Sequence, residues 1–250
     1  MVSKSKISLI RSLEMKKFRD KHGIFVAEGG RLVSELMGVF ECEWMLAKTS
    51  WMATQGNIPA RELLVDEDDE IRKVSFLTTP QDVIALFRIP TYDISEVKPD
   101  KQLVLALDGI QNPGNMGTIV RIADWFGIED IVCSTDSADV FAPKTTQATM
   151  GSLARVRVHY TDLTDFIAQN SRLPVYGTFI DGSNIYEQTL EHHGIIVMGN
   201  EGNGIRPALE AQINQRLRIP SYPADRVTAN SLNVAVATAV VCAEFRRKIF

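Results

Sequence analysis

Three stretches of this chain gather polar side chains with glycine or proline where a packed element would place apolar ones: "DGIQNPGNMGTIVR" at 108–121, "GNEGNGIRP" at 199–207 and "IPSYPADRVTANSLN" at 219–233. In the first, Asn112 and Asn115 suit a turn, because asparagine bonds its own backbone; they suit a ligand contact as well. Arg121 is less easily spent on structure. Its neighbours Ile119, Val120, Ile122 and Ala123 are apolar, so the guanidinium is expected beside a buried surface, needing an acceptor or an anionic ligand. In the second stretch Gly199, Gly202 and Gly204 permit positive φ and close backbone approach to a ligand, with Glu201 the ionisable group inside the turn. The third ends in Ser231, a good helix N-cap, with Leu232, Asn233 and Val234 as the expected first turn, whose free N–H groups favour an anion such as a carboxylate. The glycine order G-x-x-G-x-G is not the dinucleotide fingerprint. A nicotinamide-dependent oxidoreductase is disfavoured on that ground.

The elements that must position these residues alternate. From 103 onward, apolar runs such as "LVLALDG", "DIVCS", "VYGTFI" and "IIVMG" are separated by amphipathic segments such as "GTIVRIADWFG" and "DLTDFIAQN". Strands that are apolar throughout predict a parallel sheet covered on both faces, and ligands of such sheets bind beyond the strand carboxyl ends. All three polar stretches fall there. Upstream, residues 3–22 show apolar positions at helical spacing with basic residues between them, and "TPQDVIALF" opens with Thr79-Pro80, a helix start signal. The domain reading is 1–88 for a small α/β domain, 89–102 for a proline-containing linker, and 103–250 for the larger domain.

Composition narrows the function classes. At 250 residues and 45% hydrophobic content the chain can bury a full core. No apolar run has membrane-helix length and the start lacks a secretion-signal core, so a cytoplasmic protein is expected, without a membrane partner. Cys42, Cys133 and Cys242 are read as buried free thiols. The four histidines show no ligand spacing, so no metal is expected. The net charge is −4, yet residues 1–40 hold eight Lys/Arg against four Asp/Glu while residues 41–100 hold six against twelve. A basic N-terminal arm is compatible with phosphate contacts, and equally with an ordinary solvated helix face.

Together "NPGNMGTIVR", "VMGNEGNGIRP" and "IP…SLNVAVATAV" resemble, in order and spacing, the three motifs of the SpoU (TrmH-like) family of SPOUT-class RNA ribose 2′-O-methyltransferases. The likeness spans about 103–250. "FVAEGGRLVSEL" and "TPQDVIALF" resemble that family's ribosomal-protein-like substrate-binding domain. The resemblance implies an α/β fold with a deep trefoil knot, against the general rule on knots, and a homodimer. It implies S-adenosylmethionine as cofactor and RNA as substrate, with ribosomal RNA favoured and transfer RNA possible. By position, Arg121, Glu201 and Asn233 match catalytic residues, and Thr178, Met198, Gly199, Ile219, Ser231 and Leu232 match cofactor-binding ones. Asn112, Asn115, Lys16, Lys17, Arg19 and Lys21 are the candidate RNA contacts. Arg121 is expected to hold a phosphate and stabilise the developing alkoxide, with Glu201 and Asn233 orienting the ribose and Arg121. The chain departs from the family pattern in the ten-residue segment "SYPADRVTAN" and in Gln147, where an arginine is common. The alternative reading is a non-catalytic RNA-binding or ribosome-assembly factor on the same fold.

Overall fold

The computed structural model describes residues 1–66, 69–223, 229 and 231–247. Packing divides the chain into two units, Met1–Thr91 with Asp139–Ala154, and Tyr92–Ala138 with Arg155–Phe250.

In the first unit the order is α1 (Lys4–Ser12), α2 (Lys16–His22), β1 (Ile24–Glu28), α3 (Gly30–Met37), β2 (Cys42–Ala47), α4 (Thr49–Met52), β3 (Leu63–Val65), α5 (Ile71–Val74) and β4 (Val83–Arg88). The four strands form one sheet in the order β1-β4-β2-β3, with β4 antiparallel to both neighbours. Strand alternation sorts the core. Ile24 and Val26 face a cluster with Ile10, Leu13, Trp44 and Ile84, while Phe25 meets Phe40, Phe87 and Phe141. "TPQDVIALF" therefore supplies a strand, not the helix its Thr-Pro start suggested: two antiparallel neighbours take the backbone hydrogen bonds of Val83–Arg88. The basic arm is broken into two helices. Arg19 turns inward, donating from Nη1 to the Leu13 and Glu14 carbonyls and from Nε to Asp139 at 3.0 Å, which closes the end of α1.

The second unit begins with β5 (Leu103–Leu107), α6 (Pro113–Trp125) and β6 (Asp130–Ser134). Then α7 (Pro143–Thr149) packs in the first unit, its segment placing Phe141 4.9 Å from Phe25. The order continues with β7 (Arg157–Thr161), α8 (Leu163–Gln169), β8 (Val175–Asn184), β9 (Gly194–Met198), α9 (Pro207–Glu210), β10 (Gln215–Arg218) and α10 (Val234–Arg246). Six strands pair in parallel in the order β10-β8-β9-β5-β6-β7. This is the parallel sheet that the apolar strands predict, and its central strands β5 and β9 are buried along their whole length. The three cysteines are free and buried; burial pushes Cys42 to about 11 and Cys242 to about 12.

Candidate active site

Parallel strands end on a common edge, so the loops after β5, β9 and β10 leave from one side of the second sheet. The first is pinned by a buried carboxylate. Asp108 donates its N–H to the Met198 carbonyl at 2.9 Å and accepts from the Arg206 N–H at 2.8 Å and Nε at 2.5 Å. Arg206 also reaches Asp136 at 2.9 Å; the Ser134 hydroxyl and Arg206 hold the Asp136 carboxyl below its ordinary range against partial burial. Ser134 and Ser137 accept from the Gly109 and Ile110 N–H groups. Asn112 then caps α6, its Oδ1 accepting from Gly114 and Asn115 N–H, and Pro113 occupies the first turn.

The second loop closes on itself. Asn200 and Gly204 exchange backbone hydrogen bonds at 2.9 Å, Asn200 Oδ1 accepts from Gly202 and Asn203, and its Nδ2 donates to the Gly109 carbonyl at 2.7 Å. A Cβ added at Gly199 would lie 2.4 Å from the Gly204 carbonyl carbon. The bareness of Gly199 thus serves the closure of its own turn. Gly204, at φ +70°, needs the left-handed region that glycine adopts freely.

The third loop delivers Asn233, which, rather than Ser231, is the N-cap of α10: its Oδ1 accepts from Ala235 and Val236 N–H. Both residues are competent caps, and the side chain standing where the backbone turns helical takes the role. Asn233 Nδ2 donates to Asn115 Oδ1 at 3.1 Å, and Asn115 Nδ2 donates to Glu201 Oε1 at 2.5 Å. One hydrogen-bonded chain therefore joins the three stretches. Its direction is determined, because backbone N–H groups only donate and a carboxylate only accepts, which sets both amides between them.

Arg121 stands apart from that chain. It is exposed on α6, whose buried face carries Met116, Ile119, Val120 and Ala123, and it has no hydrogen-bond or ion-pair partner among the described residues. The expected site beside a buried surface is thus not found, nor is Arg121 oriented by Glu201 or Asn233. Among the described residues nothing neutralises its guanidinium.

Met198 is buried at the end of β9, with the Thr178 hydroxyl 3.9 Å from its sulfur. Thr178 lies where the pairing of β8 with β10 shifts register. Ile219 is half-buried after β10, and Leu232 is 52% exposed beside Asn233 with its N–H unpartnered among the described residues. Part of "SYPADRVTAN", 224–228 and 230, lies outside the described residues. No group of three or more metal-binding side chains occurs among the described residues, and no described helix is long and apolar enough to cross a membrane.

Of the expected RNA contacts, Lys16, Lys17 and Lys21 are exposed on α2, whereas Arg19 is 2% exposed and spent on Asp139 and two carbonyls. Arg19 lies on the buried face of α2, where Asp139 and the Leu13 and Glu14 carbonyls take its donors. Asn112 and Asn115 have their amide oxygens engaged internally. Sequence reasoning passed over Asp108, Asn200 and Arg206 as positioning residues. The signal present was a carboxylate directly ending an apolar strand, which must find a donor when buried.

The SpoU rRNA Methylase family matches residues 102–243, and the MRM3-like substrate binding domain matches residues 4–85. The Bacillus subtilis protein named 23S rRNA (guanosine(2553)-2'-O)-methyltransferase RlmP is 28% identical over 242 residues, 94% of each chain. The solved structure of a TrmH-family protein from Porphyromonas gingivalis superposes with a TM-score of 0.91 at 39% identity, over 99% of both chains. That of an AdoMet-bound rRNA methyltransferase from Sinorhizobium meliloti gives 0.86 at 27% identity, over 100% of this chain and 98% of the other. With more than half of its length matched by one family model, a match that spans Asn115, Glu201 and Asn233, the chain belongs to the SpoU rRNA methylase family.

Proposed function

We propose that this protein is an S-adenosylmethionine-dependent methyltransferase that methylates a ribose 2′-hydroxyl of ribosomal RNA. The observation that carries the reading is the Glu201–Asn115–Asn233 chain at the carboxyl edge of the parallel sheet, with Arg121, which has no partner among the described residues, on the same helix as Asn115. The names of the B. subtilis and S. meliloti relatives support ribosomal RNA.

S-adenosylmethionine, when bound, supplies a methyl group already activated on its sulfonium. Met198, Gly199, Ile219, Ser231, Leu232 and Thr178 would hold it. The protein's task is then alignment and charge stabilisation at the attacking oxygen. Glu201, held by Asn115, keeps its other carboxylate oxygen to accept from the ribose hydroxyl and orient it. Arg121 is always protonated, so it acts as a cation that holds the RNA phosphate and stabilises the developing alkoxide, and not as a base. A donor of that kind contributes roughly 3–4 kcal/mol. The domain division at 89–102, the trefoil knot, a cytoplasmic setting and a homodimer belong to the same reading. The dimer is supported by Trp125 on α6, 85% exposed, and Val236 on α10, 52% exposed, on two helices that pack together.

The test is transfer of labelled methyl from S-adenosylmethionine to ribosomal RNA taken from cells lacking the protein, followed by mapping of 2′-O-methyl nucleotides. Arg121→Lys keeps the charge and loses the planar fork; kcat is expected to fall about 100-fold with the melting temperature unchanged. Cofactor binding without transfer to any RNA would leave the non-catalytic RNA-binding factor.

A further inference from the structure

The first unit contains a cavity of about 580 Å³ walled by Val26, Phe76, Pro143 and Ala148, with Glu28, Lys144 and Gln147 also lining it. That volume falls within the roughly 300–1,000 Å³ of small-molecule sites. Glu28 is the unusual member. It is 3% exposed, and its carboxylate accepts from the Ser75 hydroxyl and, at 3.0 Å, from the Phe76 N–H, with no cationic partner among the described residues. Buried carboxylates are ordinarily paired with a cation or fully hydrogen-bonded, and each oxygen here retains a lone pair beside the cavity. Lys144 is exposed and likewise unpaired among the described residues, as suits a phosphate at the mouth. Glu14 is the other exposed charge of the lining.

We propose that this cavity takes an unstacked guanine base of the RNA, at a site other than the methylated ribose. The inference rests on the RNA-methylation reading above. A carboxylate accepts only, and guanine is the base whose Watson–Crick edge presents two adjacent N–H donors, N1–H and the 2-amino group. Uracil would turn a carbonyl toward Glu28. Phe76 and the apolar walls cover the base faces, as single-stranded RNA readers do with splayed bases. The Gln147 amide can meet the guanine carbonyl, which gives a role to the residue standing where the family commonly has arginine.

The test uses the full chain and two fluorescent uridine octamers, one with a central guanosine and one with a central inosine, which lacks the 2-amino donor. Wild-type protein is expected to bind the guanosine octamer about tenfold tighter. Glu28→Gln, checked for folding by thermal melting, removes the preference. Ala148→Phe fills the cavity without touching Glu28 and weakens the guanosine octamer alone, so the outcome does not depend on Glu28→Gln folding. A wild-type ratio near one, or a ratio unchanged in Ala148→Phe, overturns the inference. Methyl transfer to ribosomal RNA is measured in parallel: transfer with no guanine preference defeats the cavity alone, and a guanine preference without transfer defeats the methylation reading alone.

Discussion

Asn115 is the residue on which the site turns, because it is donor to Glu201 and acceptor from Asn233 at once. Asn115→Asp replaces the donor with an acceptor and sets a second carboxylate against Glu201. Methyl transfer is expected to fall by a factor on the order of 100, because one oriented donor is removed, and single-turnover rates with saturating cofactor would measure it. Were the rate unchanged, the amide chain would be incidental to catalysis. Residue types at all three positions could be named from sequence through the family motifs. Their junction could not, since the partners lie 86 and 118 positions apart and meet only when the sheet closes. Arg121 shows the converse: apolar neighbours in sequence suggested burial, yet helical periodicity places Ile119, Val120 and Ala123 inward and Arg121 in solvent.

At the scale of elements, β6 and β7 are joined below the site by a buried ion cluster. Asp130 accepts from Arg157 Nε and Nη2 and from Gln102, each at 2.8 Å, and contacts His159 Nε2 at 3.0 Å. Burial works to raise its pKa, but hydrogen bonds from His159 and Arg157 outweigh that and hold the carboxyl below its ordinary 3.8. With the folded pKa below the unfolded one, the stabilisation is complete above the unfolded value and is lost as pH falls through the folded one. Thermal melting between roughly pH 3 and 7 should therefore show wild-type stability declining below about pH 4. Asp130→Asn should lower stability at neutral pH by about 3 kcal/mol and flatten that decline; an equal decline in both proteins would assign it elsewhere. Element type was legible where hydrophobic period was long, as in β5, β9 and α6. It failed at "TPQDVIALF", where a local Thr-Pro signal was overridden by two pairing strands, and at Ser231, where a second competent cap stood two residues on.

At the scale of the molecule, the basic arm is part of a core. Ile10 and Leu13 are fully buried in the first unit, so deleting the arm would open that core. Reversing Lys16, Lys17 and Lys21 to Glu leaves that core intact. If α2 binds RNA phosphates, affinity should fall and the slope of log K against log salt should decrease by about 2, near 0.7 for each phosphate no longer neutralised. An unchanged slope would make α2 a solvated face. For association, Trp125→Glu should convert the proposed dimer to a monomer in sedimentation at micromolar concentration, because a charge on an apolar contact face must be desolvated. A wild-type protein already monomeric would remove that part of the reading.

Sequence alone determined the chemistry available and the class of fold. Apolar strands alternating with amphipathic helices specify a covered parallel sheet, and polar stretches after its strands specify where a ligand goes, because both follow from local period and chain order. Only the tertiary structure decided which polar groups were spent and which remained free. Arg19 was consumed by Asp139 and two carbonyls, Gly199 by its own turn, and Asn112 by a helix cap, while Arg121 and Glu28 have no counter-charge among the described residues. A side chain's type states what it can bond; what it does bond is set by neighbours that chain closure brings from far away.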